Sequence, residues 1–163
     1  MKTNEFVNTI LEEHNKAKIT AQQTFPNLSY SQFNWRPAAG SWSVGECFAH
    51  LISTNKEYIK FFEEAIKNNI TSGEKNFKHS LIGRLIIRSV KPGTKLKTKT
   101  PEKFNPHSSS LGLNTLQDYF DQHRKIHKLM ENSRDLDLSS IRIVSPINSM
   151  VKYNMGDSFA VIA

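Results

Sequence analysis

Ser43-Val-Gly-Glu-Cys-Phe-Ala-His-Leu-Ile-Ser-Thr-Asn-Lys-Glu-Tyr-Ile-Lys-Phe-Phe-Glu-Glu-Ala-Ile66 carries the plainest structural message in this chain. Its first four residues make a capping box: the Ser43 hydroxyl and the Glu46 carboxylate can each satisfy a backbone N–H that a helix start leaves free. Trp42 and Cys47 stand where a hydrophobic staple would sit. Beyond the cap, Val44, Phe48, Leu51, Tyr58 with Ile59, Phe62 and Ile66 recur at helical spacing. The pattern runs out at Asn68-Asn69, so the stretch predicts one long amphipathic helix. His50 falls about 120° from the centre of its apolar stripe, with Cys47 and Thr54 flanking it one turn away on either side. A polar residue at such an edge can look into a cleft between helices.

The same periodicity appears on both sides of that helix. Upstream, Phe6, Val7, Ile10, Leu11, Ala17 and Ala21 predict a helix over residues 4–24, which Pro26 ends. Between the two lies a connection rich in turn formers. Its aromatics Phe33, Trp35 and Trp42 are bulky enough that the loop is expected to pack down onto the helices. Downstream, residues 77–90 read as a short apolar helix closed by Pro92-Gly93, and an irregular basic crossover follows through Pro101, Pro106 and Ser108-Ser109-Ser110. A third long helix is expected from Asn114, paired with Gln117 as a weaker cap, to about Asp135, with Leu116, Phe120, Ile126 and Met130 inward. Ile141–Val144 is a brief extended piece. Asn154-Met-Gly-Asp157 starts a last helix, continued by Phe159, Val161 and Ile162. Nine helical residues span only ~14 Å against ~30 Å for twenty, so this fourth helix reads as truncated. With no internal repeat or second composition, residues 1–163 read as a single, mostly helical domain.

Composition narrows the class. The apolar share of 37% with 10% aromatics, in 163 residues, suits a globular fold with a proper core. No segment reaches the ~18–20 apolar residues that span a bilayer, and the N-terminus lacks a signal-peptide pattern, so no membrane partner is expected. Cys47 is the lone cysteine, which excludes an internal disulfide and fits a reducing, cytoplasmic setting. The net charge of +7 gathers locally: Arg84, Arg88, Lys91, Lys95, Lys97, Lys99 and Lys103 are opposed only by Glu102. Such a run can meet nucleic acid or an anionic surface. It has no interleaved aromatics and no DNA-binding motif, so the expectation is a solvated connection and no nucleic-acid partner.

The chain has no phosphate-cradling glycine loop, nucleophile elbow or paired-cysteine zinc motif, which leaves its histidines: His14, His50, His79, His107, His123 and His127. His123 and His127, at i and i+4 on a helix, point the same way and could grip one metal. Six histidines in a chain of this length generate such pairs by chance, and solvated or half-buried helix histidines are the default reading. Cys47 could act as a nucleophile, but a small cysteine at the core edge is the simpler role.

The run Trp35-Arg-Pro-Ala-Ala-Gly-Ser-Trp-Ser-Val-Gly-Glu-Cys-Phe-Ala-His50-Leu51 resembles the signature of the DinB-like superfamily: a tryptophan and proline, a glycine, Trp-Ser, a hydrophobic residue, Gly-Glu and His-Leu. Lys99-Thr-Pro-Glu-Lys-Phe-Asn-Pro106, Asp137-Leu138, Ser145-Pro146 and Met155-Gly-Asp157 follow in the family's order. The resemblance implies an all-α four-helix bundle with a long crossover between its second and third helices, often a homodimer. It also implies a divalent metal (zinc, nickel or iron) held by three histidines, and chemistry of two kinds, hydrolysis or transfer of a low-molecular-weight thiol to an electrophile. The histidine on the second helix matches His50. The other two form a His-x-x-x-His pair just after the segment matching Gly156–Ala163, where this sequence stops; His123 and His127 lie on a different helix and do not inherit that role. The expectation is therefore a metal-dependent hydrolase or thiol S-transferase whose site is incomplete in this chain, and whether the chain is an active enzyme stays open. The alternative is a metal-free helical module that binds a partner or ligand without catalysis.

Overall fold

A computed structural model describes residues 1–69, 73, 75–91, 93–94, 99–106 and 110–163. Three long helices form its body: α1 (Thr3–Thr24), α3 (Val44–Asn68) and α5 (Asn114–Glu131). A one-turn helix, α2 (Tyr30–Phe33), punctuates the first connection. Helix α4 (Leu81–Val90) and a 3₁₀ turn at Glu102–Phe104 lie in the long crossover. Two short strands, β1 (Arg142–Val144) and β2 (Lys152–Asn154), precede the last helix, α6 (Met155–Ile162).

The core explains the arrangement. Phe6, Val7 and Ile10 of α1 meet Tyr58, Ile59 and Phe62 of α3, Ile126 and Met130 of α5, and Met155 and Phe159 of α6. At the other end Ala21, Phe33, Phe48, Leu116 and Tyr119 form a second cluster. The end of α1 thus lies beside the starts of α3 and α5, so α1 runs antiparallel to both. Helices α3 and α5 run parallel, as Lys125 confirms by reaching Glu63 at 2.7 Å. Consecutive long helices can run parallel only when the connection is long enough to return along the bundle, which is the service the crossover performs. The result is an all-α bundle of four main helices. Each of its large buried side chains contributes about 1.5–3 kcal/mol of apolar transfer.

Local chemistry sets the boundaries. The Ser43 hydroxyl accepts the Glu46 N–H at 3.2 Å and the Glu46 carboxylate accepts the Ser43 N–H at 2.8 Å, the box expected at the head of α3. Glu46 is buried and also takes a two-pronged ion pair from Arg36, whose Nε donates at 2.8 Å. The Arg36 guanidinium, assisted by Ser43, holds this carboxyl below its usual range. Glu46 therefore ties the Trp-rich loop to the helix and is not free for proton transfer. At α6 the Asn154 side chain caps the Asp157 N–H at 2.7 Å, as its place before Met-Gly-Asp predicted.

Several expectations are corrected. Trp35 is 65% exposed, so only Phe33 of the loop aromatics is fully buried. The inward face of α3 is Phe48, Asn55, Tyr58, Ile59, Phe62 and Ala65; Leu51 sits outside it, 40% exposed. Trp42 and Cys47 form no staple, because Cys47 is exposed and Trp42 turns toward His50. Gln117 does not cap α5; its amide donates to Asp121 at 2.7 Å, and the helix ends at Glu131 rather than near Asp135. The extended piece at 142–144 has a partner, β2, paired antiparallel with Ile143 opposite Tyr153. In the crossover, Lys95, Lys97, His107, Ser108 and Ser109 lie outside the described residues. No described helix is long and apolar enough to cross a membrane.

The Gly-Asp pair at 156–157 owes its composition to close packing. A Cβ at Gly156 would stand 2.2 Å from the Phe77 ring. The Asp157 carboxylate, fully buried, accepts from the His79 Nδ1 at 2.6 Å, the Ser80 N–H at 2.9 Å and the Ser80 hydroxyl at 2.7 Å. Helix α4 sits so close that a Cβ at Gly83 would fall 1.9 Å from an Asp157 oxygen. One carboxylate thus pins the crossover to the last helix.

Candidate metal-ligating site

His50 occupies the second turn of α3, half-buried. Its Nδ1 lies 3.0 Å from the carbonyl oxygen of Phe104. A carbonyl only accepts, so Nδ1 carries a proton, and in the neutral ring Nε2 is the nitrogen with the lone pair. The crossover supplies that carbonyl through a small, well-anchored device. Phe104 is buried to 2% exposure, its ring edge-on to the imidazole at 6.4 Å, and its N–H closes the 3₁₀ turn onto the Pro101 carbonyl at 2.9 Å. Trp42 packs beside the imidazole, ring centres 5.1 Å apart. An imidazole whose Nδ1–H is held by a backbone carbonyl is the usual setting of a histidine metal ligand, because the hydrogen bond fixes ring orientation and raises the basicity of the other nitrogen. The segment 99–106 was visible in the sequence as a family feature; that it aims His50 was not.

The neighbours at i−3 and i+4 play different parts. Cys47 is exposed, and partial desolvation together with the Glu46 carboxylate holds its thiol above the usual value. A thiol so perturbed is a poor nucleophile at neutral pH. Thr54 buries its hydroxyl oxygen without a hydrogen-bond partner, one turn beyond His50 on the same face. Taken together, the residues around His50 fit one coordination position of a metal. They do not make a site, since no group of three His, Cys, Asp or Glu side chains able to hold a metal occurs among the described residues.

The other histidines are placed elsewhere. His79 is engaged by Asp157. His107 lies outside the described residues. His123 and His127 project from α5 toward α1, where His14 joins them, a residue to which the sequence had attached no role. The His14 and His123 rings stack face to face, 3.5 Å between centroids and 7° between planes, and His127 lies 6.1 Å from His14. Parallel rings direct their nitrogens sideways in two separate planes, and the His123 Nε2 already donates to the His14 backbone carbonyl at 2.8 Å. This is a packed histidine cluster and not a convergent set of ligands. His123, at 2% exposure, is more deeply buried than a helix-surface histidine. Burial, reinforced by His123, His127 and Lys18, lowers the His14 pKa to about 3; burial likewise lowers that of His123. The Lys18 amino group adds positive charge beside this pair at the α1–α5 seam.

The family model of the DinB superfamily matches residues 19–162. No curated protein and no solved structure matches the chain. The match takes in the Arg36–Glu46 clasp, the His50 imidazole with its Phe104 carbonyl, and the Gly156–Asp157 pin, and it spans most of the sequence: the chain belongs to the DinB superfamily.

Proposed function

We propose that this chain follows the metal-dependent plan of its family, a hydrolase or low-molecular-weight thiol S-transferase, with His50 as a metal-ligating residue for zinc, nickel or iron. The observation that carries the reading is the Nδ1–H of His50 on the Phe104 carbonyl, which in the neutral ring leaves the lone pair on Nε2 at a half-buried position beside two aromatic rings. That arrangement suits a ligand. A small electrophilic substrate and a homodimeric assembly belong to the same proposal. The described residues supply one donor of the three that the family resemblance implies, and a single imidazole competes poorly with water for a metal. No catalytic step is therefore assigned to these residues.

Elemental analysis of the 163-residue chain, purified without a histidine tag, should find well under one equivalent of zinc, nickel or iron. Zinc titrated into the protein should bind weakly, with the heat lost in His50→Ala and kept in His123→Ala. A stoichiometric metal lost in both variants would bring His123 into the site together with His50. Zinc binding unaffected by His50→Ala would instead put the metal-free binding module first.

A further inference from the structure

The seam between α1 and α5 contains a second feature that does not depend on the function proposed above. Beside the stacked histidines lies an open cavity of about 270 Å³. From α1 it receives Lys18, half-buried; from α5 it receives His123, Arg124, His127 and Lys128. Two acids bear on it. Glu131 stands 3.9 Å from the His127 Nε2, and Asp121 takes the Arg124 guanidinium at 2.5 Å. Lys18 and Lys128 have no acidic partner among the described residues. Directly behind His123, the His14 ring is 3% exposed and its Nδ1 has no hydrogen-bond partner.

Positive charge is thus concentrated around a cavity with too little negative charge to balance it. A divalent cation would meet two unpaired ammonium groups here, and the parallel rings offer it no shared coordination point. An anion would meet the Lys18 and Lys128 ammonium groups and the Arg124 guanidinium, with the Glu131 carboxylate also on the cavity wall. Lysine ammonium groups and imidazole N–H groups form short, charge-assisted hydrogen bonds to oxyanions, about twice as strong as neutral ones.

The geometry points to a binding site for a tetrahedral oxyanion, phosphate or a phosphomonoester, held between Lys18 of α1 and His127 and Lys128 of α5. The cavity is large enough for a phosphoryl group with a small substituent.

The test is a titration of the intact chain with inorganic phosphate at constant ionic strength, followed through the ring-proton resonances of His123 and His127. Saturable shifts of both are expected. Lys18→Met combined with Lys128→Met removes two exposed or half-buried charges without touching the core and should weaken binding by about tenfold or more, the usual effect of losing charge-assisted contacts. Lys16→Met, on the opposite side of α1, should change nothing. Glycerol phosphate binding at least as well as inorganic phosphate would identify a phosphomonoester as the fitting ligand, and weaker binding would identify free phosphate. The proposal is overturned if no saturable shift occurs, if sodium chloride produces the same shifts, or if the double lysine variant binds as the parent does.

Discussion

Asp157→Ala is expected to destabilise the fold by about 3–5 kcal/mol, the range found when one member of a buried, hydrogen-bonded charge cluster is removed. The carboxylate is fully buried and serves three donors: the His79 ring, the Ser80 N–H and the Ser80 hydroxyl. Truncation leaves those donors facing a hole, and it also opens the contact where α4 approaches at Gly83. Ser80→Ala should cost only about 1 kcal/mol, because it removes the α4 cap hydroxyl and one hydrogen bond while leaving the carboxylate with its other partners. Urea unfolding of both variants at neutral pH measures the difference. An Asp157→Ala protein within 0.5 kcal/mol of the parent would show that the Gly-Asp pair is not a structural pin, and the carboxylate would have to be reconsidered as a chemical group.

A second large effect is a loss of stability on mild acidification, centred on His14. The unfolded-chain pKa is near 6.5 and the folded value is about 3, chiefly because of burial. Between those two values the unfolded chain binds a proton that the folded one refuses, so stability is fully present above the unfolded pKa and falls as pH falls below it. The slope approaches about 1.4 kcal/mol per pH unit for one such group, which amounts to about 2 kcal/mol between pH 7 and pH 5. The lowered pKa of His123 adds in the same direction. Urea unfolding at those two pH values should show the loss, and His14→Leu should remove most of the part due to His14. An unchanged stability over this interval, or a His14→Leu protein with the full parental slope, would contradict the buried, neutral stack.

Much of the architecture was legible because it is written locally. The Ser43–Glu46 box, the Asn154 cap and the 3.6-residue repeats of α1, α3 and α5 depend on side chains within a few positions of one another. What escaped depends on contacts across the bundle. Periodicity placed an apolar stripe on α3 but could not tell whether Leu51 or Asn55 would be buried, since that turns on helix packing. Trp35 is bulky and apolar, yet its neighbour Arg36 is drawn to Glu46 and the indole stays in water. The two strands were half-seen because Lys152–Asn154 has no alternation of its own to mark it; its pairing with Arg142–Val144 creates it. Asp157 read as a helix-start acid and proved to be the hub for His79 and Ser80, more than seventy residues away.

The site divides the same way. His50 was picked out by its motif, whereas its hydrogen bond to Phe104, 54 residues on, belongs to the folded crossover. His123 and His127 were visible as a pair, but nothing within reach of α5 announced that His14 would stack on His123 from α1. Their spacing allowed a metal grip beside the default of solvated or half-buried helix histidines; the parallel rings offer no shared coordination point.

The central claim is that the crossover holds His50 with its proton on Nδ1 and its lone pair on Nε2. A long-range nitrogen–proton correlation spectrum of the imidazoles at neutral pH tests it directly, because protonated and unprotonated ring nitrogens resonate far apart. The account predicts a single Nδ1–H tautomer for His50 that Phe104→Gly releases to exchange. A His50 ring protonated on Nε2, or averaging freely between tautomers in the parent protein, would contradict it.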